Sequence, residues 1–507
     1  ISIEKDSGSY HDYIMPGFID SHIHVESSML IPSEFARIAV THGTVATVSD
    51  PHEIANVLGV DGIKYMIENG NMVPFKFYFG ASSCVPATDF ETAGARLEAE
   101  DIEHLFKEYD LKYLSEMMNY PGVLFDSPEV MEKLSIAKKY GKPIDGHAPG
   151  LRGEQARKYI SAGISTDHEC FSIDEAREKI TYGMKILIRE GSAAKNFNEL
   201  HPLIKEHKDM VMLCSDDKHP DDFVEGHINE VVKKAVALGY DLYDVLHITC
   251  INPIEHYGLD VGTLNVGDPA DFIVVNNLKE FGNLATYING IKVAENGKTL
   301  IDSVEAKAVN NFNIAPKKPE DFAIKHKGGM IRVIEAIEGQ LITNELHLEA
   351  KVEDGFVVSD VENDILKITV VDRYRESQPA VSFIKNFGLK SGAIASCVGH
   401  DSHNIIAVGV DDNSLAAVVN EVIKHKGGVA IMVDGKVEVL PLPVAGIMSN
   451  EDGWVVAQKY DKLNKLPKLI GCHLHSPYMT LSFMALLVIP ALKLGDKGLF
   501  DGQKFAF

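Results

Sequence analysis

Between residues 16 and 255 the chain repeats one rhythm: a short apolar run, a polar or ionisable residue at its end, then a stretch with helical spacing. The apolar runs fall at 17–22, 44–49, 75–81, 112–116, 143–147, 163–168, 185–189 and 211–215. Helical patterns at 129–140, 154–162, 174–180 and 230–238 lie between or after them. Eight strands alternating with helices predict a (β/α)₈ barrel. A doubly wound sheet would share this periodicity, but the placement of the ionisable residues favours the barrel. After Tyr257 the texture changes. Turn residues at 262–264 and 266–271 precede short strand-like runs at 272–275, 288–293 and 299–301, a small β unit. Pro316-Lys317-Lys318-Pro319 marks a linker. Beyond it, strand-like runs (365–371, 428–432, 437–441) alternate with a helical one (414–425).

The expected organisation is therefore α/β: a catalytic barrel at 16–255, a small β-sandwich domain from 1–15 and 256–315, and a C-terminal α+β domain at 316–507. The chain starts at Ile1, not Met, so further strands of the small β domain are expected to precede it.

Composition narrows the partners. The 507 residues suffice for two or three domains. A formal net charge of -24 argues against nucleic acid or an anionic membrane as partner. Cys84, Cys170, Cys214, Cys250, Cys397 and Cys472 show no C-x-x-C spacing, so free thiols and a cytoplasmic location are expected. The apolar stretch at 479–494 is too short to span a bilayer and contains Pro490. A large barrel with an added domain makes a homo-oligomer the expected assembly.

The chemistry lies at the strand ends, where barrel enzymes place it. The first strand ends in His22-Ile23-His24, whose two imidazoles share one face of an extended chain. Glu116 ends the fourth strand, His147 the fifth, His168 the sixth, and Asp216 the eighth. One divalent ion needs three or four protein ligands and an open position. Four histidines and two carboxylates on one rim suit two ions, with a hydroxide between them as a nucleophile near neutral pH. Imidazole and carboxylate without thiolate fit Mn²⁺, Fe²⁺ or Zn²⁺. Taken singly, an H-x-H or a histidine ending a strand is weak evidence; the joint pattern carries the expectation.

Met15-Pro16-Gly17-Phe18-Ile19-Asp20-Ser21-His22-Ile23-His24 resembles the opening motif of the amidohydrolase superfamily. Within it the chain is most similar to the bacterial and archaeal adenine deaminase family. The narrower likeness rests on Ser49-Asp50-Pro51-His52-Glu53-Ile54-Ala55-Asn56-Val57, on Glu116-Met117-Met118-Asn119-Tyr120-Pro121-Gly122-Val123, and on Asp145-Gly146-His147-Ala148-Pro149-Gly150 followed by Thr166-Asp167-His168-Glu169. It continues in Val398-Gly399-His400-Asp401-Ser402-His403-Asn404 and 440–446, so it covers nearly the whole chain. The resemblance implies hydrolysis of adenine to hypoxanthine and ammonia, as in purine salvage, with two ions, iron or manganese. One ion would take His22, His24 and Asp216, and the other His147 and His168, with Glu116 bridging.

On this reading the bridging hydroxide attacks C6, Asp216 moves its proton, and Glu169 hands a proton to the ring. Candidates for holding the purine are His52, Glu53, Asn119, Arg152 and Asp217. Arg152 stands where the family is expected to carry a small residue, a cation near the pocket. Alternatives are another hydrolase of the superfamily, acting on a cyclic amide or related aminopurine, and a metal-free scaffold. His24-Val25-Glu26 is half of the zinc nucleobase deaminase motif, but its P-C-x-x-C partner is missing from the sequence. His473-Leu474-His475 is expected to be structural or exposed. His400-Asp401-Ser402-His403 is expected to be a lid or interface.

Overall fold

The computed structural model describes residues 8–507. The part of the expected small β domain at residues 1–7 lies outside the described residues. Strand β1 (Tyr13–Pro16) is followed by β2 (Phe18–Ile23), β3 (Thr44–Ser49), β4 (Lys76–Phe79), β5 (Leu114–Met117), β6 (Ile144–Gly146), β7 (Thr166–Asp167), β8 (Lys185–Arg189) and β9 (Val211–Cys214). Strands β2, β3 and β4 pair in parallel, as do β5 with β6 and β7 with β8 and β9. A parallel bridge from Ala81 to Leu114 carries the pairing from β4 to β5. Ser165 N donates to Ile144 O at 2.8 Å between β6 and β7. Asp216 N donates to His22 O at 2.9 Å and His24 N to Asp216 O at 3.1 Å, returning the pairing from β9 to β2. Helices follow most strands, so every residue of β2, β3 and β9 is buried.

Buried polar residues in such strands need partners. Asp20 accepts from Ser215 N at 3.0 Å and lies 2.8 Å from His227 Nε2, which pins β2 to the chain after β9.

Strand β1 leaves this array and pairs antiparallel with β10 (Phe272–Val275), followed by β11 (Asn283–Ile288), β12 (Ile291–Glu295) and β13 (Lys298–Thr299). Two expectations are corrected here. The run at 288–293 is not one strand, because Asn289 and Gly290 both take positive φ, 50° and 78°. That is the geometry of a two-residue hairpin turn, for which Asn-Gly is the favoured sequence. Asn296-Gly297 turns likewise, at 49° and 72°. Such tight turns keep successive strands side by side, so the described strands form one five-stranded sheet instead of a sandwich.

The C-terminal region carries an eight-stranded mixed sheet. Its order is Thr343–Glu349, Met330–Ala336, Ala380–Lys385, Ile365–Val371, Ile405–Gly409, Ala393–Ser396, Gly428–Val433 and Lys436–Pro441. The helix Asp412–His425 packs Leu415, Val418, Val419 and Val422 onto it, a spacing that places them on one helical face. Asp411 caps its start, accepting from Ser414 N at 2.8 Å. This region docks on the parallel strands through Arg37 with Asp452 (2.8 Å) and Tyr460 Oη with His219 Nδ1 (2.6 Å).

Candidate metal centre and active site

The six expected ligands meet in one buried place. His22 Nε2 lies 3.4 Å and His24 Nε2 3.2 Å from Asp216 Oδ1. His24 Nε2 is 3.4 Å from Glu116 Oε1. The other oxygen of Glu116 faces His147 Nδ1 at 2.9 Å and His168 Nε2 at 3.1 Å. The rings of His22 and His168 stack at 4.2 Å. Asp216 takes a positive φ of 57°, which aspartate tolerates better than most residues and which turns the chain sharply after β9.

This donor set fits divalent cations. Donor atoms of His22, His168 and Asp216 lie within 4.8 Å of one another, as do those of Glu116, His147 and His168, and those of His24, Asp50, His52 and Glu116. Both ring nitrogens of His22, Nε2 of His147 and Nδ1 of His52 are buried without a hydrogen-bond partner. Leaving such a group unpaired costs about 1–3 kcal/mol, a penalty that a bound cation removes. His24 Nδ1 sits 3.2 Å from the carbonyl of Asp50, which can only accept, so that nitrogen carries the hydrogen and Nε2 offers its lone pair to the centre.

The electrostatics favour the ionised acids. Burial alone would raise the Glu116 pKa, but His147 and the other imidazoles outweigh it and hold it well below the carboxylate range. For Asp216 the same penalty is overcome chiefly by Arg189.

Arg189 escaped the sequence reading. Its Nη1 donates to both Glu169 and Asp216, and its Nη2 lies 3.3 Å from Glu169 Oε2. Arg189 ends an expected strand, which is a signal for the rim, but a guanidinium is no metal ligand and so falls outside a pattern of ligands. Asp50, which ends no ligand pattern in the sequence, also reaches the site, with its Oδ2 3.1 Å from His52 Nδ1.

The pocket over the centre is lined by His24, His52, Glu53, Glu116, His147, Glu169, Arg189, Asp216 and Asp217 on one side. Leu341, His400, Asp401, Phe483 and Leu486 of the C-terminal region face them. Of the purine-holding candidates, His52, Glu53 and Asp217 reach it. Asn119 and Arg152 do not. Asn119 caps the short helix Tyr120–Leu124, accepting from Gly122 N at 2.9 Å, and lines a separate cavity with Thr88 and Asp89. Arg152 is half-exposed and pairs with Glu178 at 2.8 Å, so the expected cation near the pocket is instead a surface ion pair. His473 and His475 are exposed, and all six cysteines are free. Among the described residues no helix is long and apolar enough to cross a membrane.

Comparison with known proteins places this arrangement. Residues 13–301 match the amidohydrolase family, and residues 340–506 match the adenine deaminase C-terminal domain. An adenine deaminase of Salinibacter ruber is 54% identical over 497 residues, covering 98% of this chain and 91% of that one. One from Sulfurovum sp. is 55% identical over 507 residues, covering 100% and 94%, and one from Methanosarcina mazei is 52% identical over 520 residues, covering 100% and 94%. The chain belongs to the adenine deaminase family. Among solved structures, an N-acetyl-D-glucosamine-6-phosphate deacetylase from Mycobacterium smegmatis aligns with a TM-score of 0.43 and 15% identity over 58% of this chain and 91% of that one.

Proposed function

We propose that the protein hydrolyses adenine to hypoxanthine and ammonia at the centre formed by His22, His24, Glu116, His147, His168 and Asp216. The observation that carries this reading is the convergence of those six side chains on one buried pocket in a chain of the adenine deaminase family. The eight parallel strands β2–β9 are read as a closed (β/α)₈ barrel, supported by the pairing that returns from β9 to β2. Residues 1–15 with 256–315, and 316–507, are read as the two accompanying domains.

His22, His24 and Asp216 would hold one divalent ion and His147 and His168 a second, with Glu116 shared because its two oxygens face different halves of the cluster. Manganese or iron is the expected metal, and zinc suits the same donors. When bound, such ions lower the pKa of a water molecule and supply a nucleophile near neutral pH. The protein's own residues position the purine and move the protons. Asp216, with Oδ2 held by Arg189, takes the proton released as water adds to C6. Glu169, held by the same guanidinium, would pass the hydroxyl proton of the C6 adduct to the ring, while Asp216 delivers the proton it took to the leaving amine. A C6–O bond forms, the C6–N6 bond breaks, and the amine departs as ammonia.

Protein loaded with Mn²⁺ or Fe²⁺ and mixed with adenine should shift the ultraviolet spectrum to that of hypoxanthine while releasing ammonia. An unchanged spectrum at full metal content would overturn the substrate, and a ring-opened acid as product would move the protein to a cyclic-amide reaction.

A further inference from the structure

The pocket wall supplied by the C-terminal region is apolar except for His400 and Asp401. Leu341, Phe483 and Leu486 suit a flat heteroaromatic ring, but they cannot satisfy its edge. The ring nitrogens N1, N3 and N7 of adenine are hydrogen-bond acceptors, and acceptors buried without donors cost binding energy. Most donors on the opposite side of the pocket face the protein's own acceptors. Arg189 is taken by Glu169 and Asp216. His24 and His147 belong to the ligand set; His52 turns Nδ1 to Asp50 and Glu116, and its Nε2 stands 3.6 Å from Glu53 and 3.8 Å from Asp401, between two acceptors of the protein.

His400 is different. Its Nδ1 is bonded to Glu53, whose second oxygen is engaged by His403. Its ring lies nearly parallel to Phe483, 5.3 Å away at 18°. These contacts fix the tilt of the imidazole. Nε2, on the far side of the ring from Nδ1, lies 4.0 Å from Asp217 Oδ1, too far for a direct hydrogen bond. Burial alone would lower the His400 pKa, but Glu53 and Asp217 together push it up to about 9, so both ring nitrogens carry hydrogens near neutral pH.

We propose that His400 is a substrate-contacting specificity residue, its Nε2–H donating to one ring nitrogen of the purine bound over the metal centre. This rests on the adenine reading above. It makes the C-terminal region part of the active site, and it assigns the His400-Asp401-Ser402-His403 motif a role in recognition beyond that of a lid.

Inhibition constants of 1-, 3- and 7-deazaadenine, each lacking one ring nitrogen, test this in the full-length metal-loaded enzyme, with His400→Phe and His400→Gln beside the parent. Phenylalanine keeps the stack on Phe483 and removes the donor, whereas glutamine keeps an N–H. In His400→Phe, adenine should lose about tenfold or more in apparent affinity, the scale of one hydrogen bond from a charged donor. The penalty for one deaza analogue, relative to adenine, should shrink to within about twofold while the other two penalties persist, as expected when the removed partner is the same one in both changes. His400→Gln should recover part of that penalty. Uniform weakening of all four purines, or an unchanged pattern, would overturn the assignment. Metal content and melting temperature, measured on each variant, identify a misfolded protein; if His400→Phe misfolds, His400→Leu, which also lacks the donor, takes its place and should show the same pattern. If the parent itself does not release ammonia from adenine, the proposed function fails. If the parent is active and the analogue pattern does not move, only the His400 assignment fails.

Discussion

The two sides of the pocket are built from opposite materials. On the side of the parallel strands, four imidazoles and two carboxylates are packed into the interior, several with ring nitrogens that no protein group satisfies. On the C-terminal side the surface is Leu341, Phe483 and Leu486, with His400 and Asp401 set into it. The strand ends carry several unpaired ring nitrogens that a ligand would satisfy, whereas the facing wall is mostly apolar and leaves one carboxylate oxygen of Asp401 unpaired. On the proposed function the metal and proton chemistry stays on the strand side and the C-terminal wall adds to recognition, so changes on each side should leave different marks.

The largest effect is expected on the strand side. Asp216→Asn should cut turnover by about 10³-fold, at the scale of losing a positioned proton carrier, and should weaken metal binding. Ammonia release together with metal analysis checks this; near-normal kcat at full metal content would remove the proton role. Arg189→Met should follow, lowering kcat by about 10²-fold and stability by roughly 3–5 kcal/mol, because Glu169 and Asp216 would be left buried without their shared cation. Denaturant unfolding and kcat measured on the same preparation would show both losses together.

On the opposite wall, Phe483→Ala should cost about 3 kcal/mol of stability and raise KM about tenfold with a smaller change in kcat. A fall in kcat at constant KM would break the division between the two sides. At the contact between the regions, burial pushes the His219 pKa down to about 3, so this histidine is neutral when it meets Tyr460. The unfolded chain, with an ordinary pKa near 6.5, then binds more protons than the folded one between those values. Its contribution is complete above pH 6.5 and is lost as the pH falls towards 3, with a slope of at most about 1.4 kcal/mol per pH unit. In His219→Asn that part of the acid dependence should disappear from unfolding curves. The smallest effect belongs to Arg152→Ala, which should leave kcat and KM within about twofold, since its side chain ends in a surface ion pair.

These two sides were not equally legible in the sequence. His22, His24, Glu116, His147, His168 and Asp216 could be read out because each stands at the end of an apolar run, and parallel strands flanked by helices bring such ends to one rim. The internal order of ionisable residue after strand is a local property, and local periodicity preserves it. His52, Glu53 and Asp217 were also found, as neighbours in the chain of those ends. Arg152 sits in the same kind of position after β6 and yet points outward to Glu178, because side-chain direction in a loop follows no period. Asn289-Gly290 shows the reverse: a two-residue signal was enough to turn the chain, but the surrounding apolar run hid it.

The chain by itself determined the alternation of strands and helices, the family to which they belong and the ionisable residues at the strand ends. Only the tertiary structure decided that Arg189 ties Glu169 to Asp216, and that His400, some 350 residues from Glu53, closes the pocket against it. Those contacts join residues remote in sequence, and pairing at such separation is set by how whole layers dock rather than by any spacing along the chain.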